Sequence, residues 1–222
     1  MRLVHLWFSP ASDRLRLALG YKRIDHDLII PGYDEDELFF ELGVGRTAPV
    51  LQWDDGSVGT DSVALLGELD RHHPQPGLLQ PLSAGQWQAA LDWRSRAAPV
   101  LERLYAPVGL AYRGIGDDEA RRAAYKASVH ARLGMSVEEL ANDRYAGFTQ
   151  LDRMTHFKEL GRFMAVHGFY AKVLSAADIL VTADLFPLQI LDGVTLPIDL
   201  MYYFERVQEA CGVDLRAGLL TG

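Results

Sequence analysis

The sequence predicts a two-part molecule, an α/β unit followed by a unit built from helices alone. Up to residue 72 the hydrophobic pattern gives the order strand, helix, strand, helix, strand, strand, helix. Residues 73–77 break this pattern, and from Ala84 onward the segments have helical spacing without a convincing strand. The 222 residues are enough for one large domain or two small ones. We place the first domain at residues 1–76, a linker at 77–84 and the second domain at 85–222.

The first domain opens with a strand, a helix and a second strand. Residues 3–8 form an apolar run that predicts a short buried strand, and residues 9–13 are a turn that leads into a helix. Gly20 is a plausible helix stop, and residues 26–30 predict the next strand. A strand, helix and strand in this order predict a parallel pair joined by a right-handed crossover.

The remainder of the first domain contains a hairpin and a helix. Residues 34–42 predict a short acidic helix, and residues 48–53 predict a strand that ends at the turn signal Asp55-Gly56. Residues 57–60 are expected to form the return strand. Asp61 and Ser62 then have the composition of a helix start.

The second domain carries clear helix boundaries. Residues 114–117 separate two helices, and Ser136 and Ser175 are each followed three residues later by an acidic residue, which is capping-box spacing. The second of these caps precedes the very apolar segment 179–191. Pro197 suits the first turn of a last long helix.

Composition narrows the class of partner. The formal net charge is -8 and there is no extended basic cluster, so a nucleic acid is not an expected partner. About half of the residues are apolar, enough for a sizeable core. No apolar run approaches the roughly 20 residues of a membrane span, and the first residues lack the core of a signal peptide. We therefore expect no membrane association and a cytoplasmic location.

Cysteine and histidine usage argues against a metal site. Cys211 is the one cysteine, so the chain has no internal disulfide, and we expect a packed thiol near the end of the last long helix. The seven histidines lack metal-ligand spacing.

Four separated motifs carry a family resemblance. Ser9-Pro10-Ala11-Ser12 follows the first strand, where thioredoxins and glutaredoxins have their Cys-Pro-x-Cys turn. The segment 47–51 resembles their cis-proline strand entry, and 54–62 resembles the hairpin and acidic-Ser helix start of glutathione transferases. The segment 175–178 resembles the capping motif of their helical domain. Together the motifs resemble the glutathione transferase superfamily, and Arg14 and Arg16 after the serine turn are similar to the Arg-x-Arg pair of its bacterial, serine-type, zeta/theta-like members.

The resemblance implies a fold and an assembly. The fold is a thioredoxin-like α/β domain followed by an all-α domain, and the assembly is a C2 homodimer. It also implies glutathione as co-substrate, no further cofactor, and a small hydrophobic electrophile as the second substrate.

By this resemblance Ser9 takes the position of the catalytic serine, and Ser12 is its competitor. The glutathione thiol has a pKa of about 8.5 when free, and the thiolate is the nucleophile. A hydroxyl donor at a helix N-terminus favours the thiolate through a hydrogen bond and the helix dipole. Either serine is also a suitable helix cap.

The resemblance implies two further groups of site residues. Glutathione would contact the loop that leads into the hairpin, with the Pro49 peptide bond cis, and the start of the following helix. These residues are Arg46, Thr47, Ala48, Pro49, Asp61 and Ser62. The second substrate would contact residues assigned by position alone, namely Trp7, Phe8, Tyr105, Tyr112 and Arg113. Aromatic residues at helical spacing are also typical of a core. An extra helix within residues 113–147 could cover this pocket.

The resulting hypothesis is a glutathione transferase. Serine at both Cys-Pro-x-Cys positions excludes a dithiol oxidoreductase, which needs a protein thiolate. Three alternatives stay open: a glutathione-dependent isomerase of the maleylacetoacetate type, a β-etherase, to which residues 45–50 are faintly similar, and a non-catalytic binding module with the same fold.

Overall fold

A four-stranded mixed sheet forms the centre of the first domain. The computed structural model describes residues 1–220. Its strands are β1 (Arg2–Val4), β2 (Asp27–Ile29), β3 (Val50–Gln52) and β4 (Val58–Gly59), in the order β2-β1-β3-β4. β1 runs parallel to β2 and antiparallel to β3, and β4 runs antiparallel to β3. The predicted parallel pair and hairpin are therefore confirmed.

Three helices accompany the sheet, namely α1 (Pro10–Lys22), α2 (Glu37–Glu41) and α3 (Ser62–His72).

The first strand is shorter than the predicted span of 3–8. After Val4 one further ladder bond forms, from His5 N to Ile29 O at 2.8 Å. The chain then leaves the sheet, and Leu6 and Phe8 line the cavity described below.

The second domain is helical, as predicted. It contains α4 (Ala84–Val108), α5 (Glu119–Leu133), α6 (Val137–Asn142), α7 (Arg144–Thr155), α8 (Phe157–His167), α9 (Ala176–Leu185) and α10 (Ile198–Cys211). Short 3₁₀ turns follow α4 at Gly109–Ala111 and α9 at Phe186–Ile190. No helix within residues 1–220 is long and apolar enough to cross a membrane.

The two predicted capping boxes are present. The Ser136 hydroxyl oxygen accepts from Glu139 N at 3.2 Å, and the Glu139 carboxylate accepts from Ser136 N at 2.7 Å. The Asp178 carboxylate likewise accepts from the Ser175 amide at 2.9 Å. The apolar segment that follows is not one helix, because Pro187 lacks the amide hydrogen that a further α-helical turn requires.

α1 lies at the centre of the molecule. Its buried Leu15, Leu17 and Leu19 share one core cluster with strand residues of the first domain and with residues of α4, α9 and α10. A Cβ atom at Gly20 would lie 2.2 Å from the carbonyl oxygen of Cys211, so glycine is required where α1 meets α10. The packing of α1 against both domains fixes the cavity between them.

Candidate active site

A cavity of about 640 Å³ lies between the two domains. The first domain contributes the connection from β1 to α1, the side chains of Arg14 and Tyr33, and the loop before β3. The second domain contributes α4, α5 and one residue of α9, Asp184. The volume is that of a small-molecule site.

Ser9 lies at the edge of this cavity as the N-cap of α1. Its hydroxyl oxygen accepts from Ser12 N at 3.2 Å. Its own proton points to the Ala48 carbonyl oxygen at 3.4 Å, which is long for a hydroxyl hydrogen bond. The Ser9 hydroxyl hydrogen is therefore weakly held, and its hydrogen bond can be redirected to a better acceptor in the cavity while the hydroxyl oxygen still caps α1.

The N-terminus of α1 adds favourable potential for an anion. Ser9, Pro10 and Ala11 all line the cavity, and Pro10 occupies the first turn of this 13-residue helix. The positive end of the helix dipole therefore faces the cavity. A hydroxyl donor beside a helix N-terminus can stabilise a small anion such as a thiolate.

Ser12 has a different environment. Its side chain is fully buried, and its Oγ has no hydrogen-bond partner within residues 1–220. It does not line the cavity; its contact with the site is the backbone N–H donated to Ser9. The structure thus places one of the two predicted serines at the cavity and the other behind it.

The loop before β3 forms one wall of the cavity through Arg46, Thr47 and Ala48. The peptide bond between Ala48 and Pro49 is cis, as the resemblance implies. Pro49 itself is buried behind the wall. Arg46 donates to Asp36 at 2.7 Å, and its guanidinium lies 4.4 Å from the centre of the Tyr33 ring.

Asp61 and Ser62 lie at the start of α3 and outside the cavity wall. The Asp61 carboxylate caps the helix by accepting from Val63 N at 2.8 Å and Ala64 N at 3.1 Å. Ser62 is buried, and its hydroxyl accepts from Arg14 at 2.8 Å. Both helix-cap bonds use the same oxygen of Asp61, and the Ser62 hydroxyl acts here as an acceptor.

A buried charge network at the base of the cavity was not predicted from the sequence. Arg14 of α1 is 2 % exposed and forms an ion pair with Asp184 of α9. Arg94 of α4 approaches the second oxygen of Asp184 at 3.7 Å. The Tyr105 hydroxyl donates to the Asp184 carbonyl oxygen at 2.5 Å, and burial together with the Asp184 charge raises the pKa of Tyr105 well above its usual value.

The cavity wall is richer in positive charge than the protein as a whole. Four arginines and two carboxylates line it, whereas the chain carries a net charge of -8. The arginines are Arg14, Arg46, Arg94 and Arg132, and the carboxylates are Asp184 and Glu102. Anionic ligands are therefore drawn to this cleft in an otherwise acidic surface.

Two of the five residues predicted for the second substrate line the cavity. Phe8 is one of them, with edge contacts to Tyr105 at 6.1 Å and to Tyr125 at 6.0 Å between ring centres. Tyr105 of α4 is the other. These rings provide an apolar surface beside the polar groups around Ser9.

The other three do not line the cavity. Trp7 packs against His5, at 5.0 Å between ring centres, and beneath the guanidinium of Arg16. Tyr112 is 2 % exposed and packs behind Phe8. Arg113 is exposed, and its amide donates to the Gly218 carbonyl oxygen at 2.8 Å.

The segment 113–147 does contain a helix that closes one side of the cavity. α5 contributes Tyr125 and Ser128 to the wall, and the Tyr125 hydroxyl donates to the Ala106 carbonyl oxygen at 3.0 Å. Arg121 ties α5 to the first domain through Asp34 and Glu35, each at 2.8 Å.

The thiol of Cys211 lies outside the cavity. It is buried at the end of α10, and burial raises its pKa to about 12. No protein thiol therefore lines the cavity within the described part of the chain.

The chain resembles known proteins in sequence. Residues 8–72 match the family described as "Glutathione S-transferase, N-terminal domain". The chain is 33 % identical over 84 residues to "Probable maleylacetoacetate isomerase 1" of Drosophila melanogaster. That match covers 35 % of this chain and 34 % of the relative, so it spans about a third of the relative's length.

Two solved structures share the whole architecture. Glutaredoxin 2 of Salmonella typhimurium, solved in complex with glutathione, superposes with a TM-score of 0.78 over 96 % of this chain and 95 % of that one, at 18 % identity. A maleyl pyruvate isomerase, a bacterial glutathione S-transferase of the zeta class, superposes with a TM-score of 0.57 over 98 % and 96 %, at 20 % identity. Likeness at such identities shows the fold.

The first domain and the architecture together define the class. The molecule is a thioredoxin-like domain joined to an all-helical domain, with a cleft between them. Residues 8–72 match the N-terminal domain of glutathione S-transferases, and the chain as a whole has the fold of a solved bacterial glutathione S-transferase.

Proposed function

We propose that this protein is a glutathione transferase in which Ser9 holds the glutathione sulfur as a thiolate. The observation that carries the proposal is the position of the Ser9 hydroxyl. It caps α1 at the edge of the interdomain cavity, and its proton is held only by a 3.4 Å contact to the Ala48 carbonyl. The thiolate then attacks an electrophilic carbon of a second substrate bound against α4 and α5.

The loop before β3 is suited to hold the middle of the tripeptide. Ala48 lines the cavity with its carbonyl group next to Ser9. An extended peptide that pairs with the Ala48 backbone, as an added strand does, would place its cysteinyl side chain toward the serine. The match to the glutathione S-transferase N-terminal domain and the glutathione complex of the structural neighbour support this ligand.

The available interactions are large enough for thiol activation. Lowering a thiol pKa by two units requires about 2.7 kcal/mol. One hydrogen bond to a charged group contributes about 1.5–3 kcal/mol, and the α1 dipole contributes a further 0.3–1 kcal/mol or so. The conjugation rate gains further from holding both reactants in contact.

The test is glutathione binding by calorimetry, together with conjugation of 1-chloro-2,4-dinitrobenzene, in wild type and Ser9→Ala. We expect saturable glutathione binding, and a fall in kcat/KM of about 10- to 100-fold in the variant with affinity changed only a few-fold. Ser83→Ala is the matched control, because Ser83 caps α4 with the same 3.2 Å bond and does not line the cavity. Unchanged turnover in Ser9→Ala contradicts the role of Ser9, and absence of glutathione binding favours a non-catalytic module.

A glutathione-dependent isomerase is the second candidate, favoured by the sequence match to a protein named as a maleylacetoacetate isomerase. A thiolate that adds to a cis alkene leaves a single bond that can rotate before the thiolate is eliminated. Glutathione is then regenerated rather than consumed. Assays on maleyl keto acids and aryl ethers that measure glutathione before and after turnover separate isomerase, etherase and conjugating activities.

We also propose a C2 homodimer, on the family likeness alone. Sedimentation equilibrium measures the assembly directly. A mass near twice the 24.7 kDa of the chain supports the dimer, and a mass near 24.7 kDa contradicts it.

A further inference from the structure

One arginine of the cavity wall has no assigned partner. Three of the four cavity arginines donate hydrogen bonds to protein carboxylates, Arg14 to Asp184, Arg46 to Asp36 and Arg132 to Glu102. Arg94 donates no side-chain hydrogen bond within residues 1–220. Its Nε is buried and unpartnered there, although the side chain as a whole is 35 % exposed.

The surroundings of Arg94 leave a positive charge unbalanced. Its nearest carboxylate is Asp184, whose Oδ2 lies 3.7 Å from Arg94 Nε, beyond hydrogen-bond distance. The other oxygen of Asp184 is already bound by Arg14. One buried carboxylate therefore faces two guanidinium groups.

The pKa of Arg94 reflects this imbalance. Burial lowers it first, and the charge of Arg14 lowers it further, against opposing effects of Asp184, Tyr105 and Asp61. A cation that is partly desolvated and incompletely paired gains more from a ligand anion than an exposed arginine does. The planar guanidinium matches a carboxylate, which it can bind through two parallel hydrogen bonds.

We propose that Arg94 is a carboxylate-binding residue of the cavity and that the ligand it binds presents a carboxylate to α4. This inference rests on the proposed function, because that function supplies two sources of the carboxylate. One is the γ-glutamyl end of glutathione, and the other is a carboxylated electrophile. Arg14 bonds both Asp184 and Ser62, so the charge network extends from Arg94 to the residues predicted to hold the γ-glutamyl end.

The experiment compares Arg94→Met and Arg94→Lys with the control Arg96→Met. Arg96 is an exposed residue of the same helix and lies outside the cavity wall. Calorimetry measures Kd for glutathione and for the analogue whose γ-glutamyl residue is replaced by 4-aminobutyrate, which lacks that carboxylate. Initial rates give KM for 4-chloro-3-nitrobenzoate and for its methyl ester.

We expect Arg94→Met to weaken the binding of at least one of the two carboxylate-bearing ligands by about 10- to 100-fold, while the affinity for the counterpart that lacks that carboxylate stays within a few-fold. Loss confined to glutathione assigns the γ-glutamyl carboxylate, and loss confined to the benzoate assigns the electrophile. Arg94→Lys keeps the positive charge but cannot form two parallel hydrogen bonds, so its loss of affinity should be smaller than that of Arg94→Met. It also replaces Arg94→Met in the test if that variant does not fold.

Equal affinities of Arg94→Met and Arg96→Met for every ligand overturn the inference. In that case glutathione binding by the wild type still supports the proposed function. A wild type that binds no glutathione contradicts the proposed function itself. The two failures are therefore distinguishable in one set of titrations.

Discussion

Arg14 and Arg16 lie two residues apart on α1, and both are buried, but they face opposite regions of the molecule. Arg14 faces the cavity and joins Ser62 of α3 to Asp184 of α9. Arg16 faces away from it, pairs with Asp13 of its own helix and donates to the Asp214 carbonyl oxygen. The same residue type in one short motif thus supports the site on one face of the helix and anchors the C-terminal segment on the other.

The largest effect is expected from the removal of Arg14. Arg14→Met leaves the Asp184 carboxylate buried without its ion-pair partner, and we expect a loss of about 3 kcal/mol in the free energy of unfolding, measured by urea denaturation. The loss lies toward the low end for buried pairs because Arg94 remains 3.7 Å away.

The control is the double variant Arg14→Met/Asp184→Leu, which removes both charges. It should recover much of the lost stability, because a buried ion pair can be replaced by apolar residues at little cost. A double variant that is less stable than the single one contradicts the assignment of Asp184 as the buried partner.

The next effect concerns pH and the opposite face of α1. Burial raises the pKa of Asp13 to about 7, against the charges of Arg16 and Arg14. The folded state then holds a proton that the unfolded state has released between about pH 4 and 7. Stability contributed by Asp13 is therefore present at low pH and is lost as pH rises toward 7.

Asp13→Asn isolates the effect of this carboxyl group. The unfolding free energy of the wild type minus that of the variant should fall by about 2 kcal/mol between pH 5 and pH 7. Denaturation of both proteins at each pH measures it. A difference that does not change with pH, or that rises, shows that Asp13 is ionised throughout in the folded state.

A smaller effect is expected at Arg16 itself. Arg16→Met removes the bonds to Asp13 and to the Asp214 carbonyl and the cation–π contact with Trp7. At about pH 6, where its raised pKa leaves Asp13 largely protonated, the change should cost about 1 kcal/mol. Hydrogen exchange should quicken in residues 213–219, while glutathione affinity stays as in the wild type. Quickened exchange around the cavity instead would mean that the two faces of α1 are not independent.

The smallest effect is expected at the thiol. Cys211 has a pKa of about 12 because it is buried where α10 meets α1. Its reaction with a disulfide reagent at pH 8 should be slow in the folded protein and fast in denaturant. Fast labelling of the folded protein would show that this junction opens.

Much of this structure follows from local sequence signals. The parallel pair, the hairpin, the start of α3 and the two capping boxes depend on residues close in sequence, and all were predicted. The end of the first strand was not, because it depends on where the chain turns toward the cavity. The break of the apolar segment at Pro187 is a local signal that the hydrophobic pattern concealed.

The site was predictable only in part, because some of its residues are brought together by packing between elements that are distant in sequence. Ser9 and the segment at residues 46–48 belong to motifs, and the structure places them at one cavity. Arg94 and Asp184 belong to no motif, and their meeting depends on the packing of α4 and α9 against α1. Trp7 and Tyr112 are aromatic residues near the serine turn, but the direction of their side chains is set by packing that the sequence does not reveal.

The proposed function depends on stabilisation of a bound thiolate by the Ser9 hydroxyl. Ultraviolet absorbance of glutathione-saturated protein, followed from pH 5 to pH 9, measures the pKa of the bound thiol in wild type, Ser9→Ala and Ser83→Ala. We expect a value below 7 in wild type and in Ser83→Ala, against about 8.5 for a free thiol, and a rise of roughly one to two units in Ser9→Ala. The same low pKa in wild type and Ser9→Ala would contradict this role of Ser9 and assign the stabilisation to the α1 N-terminus.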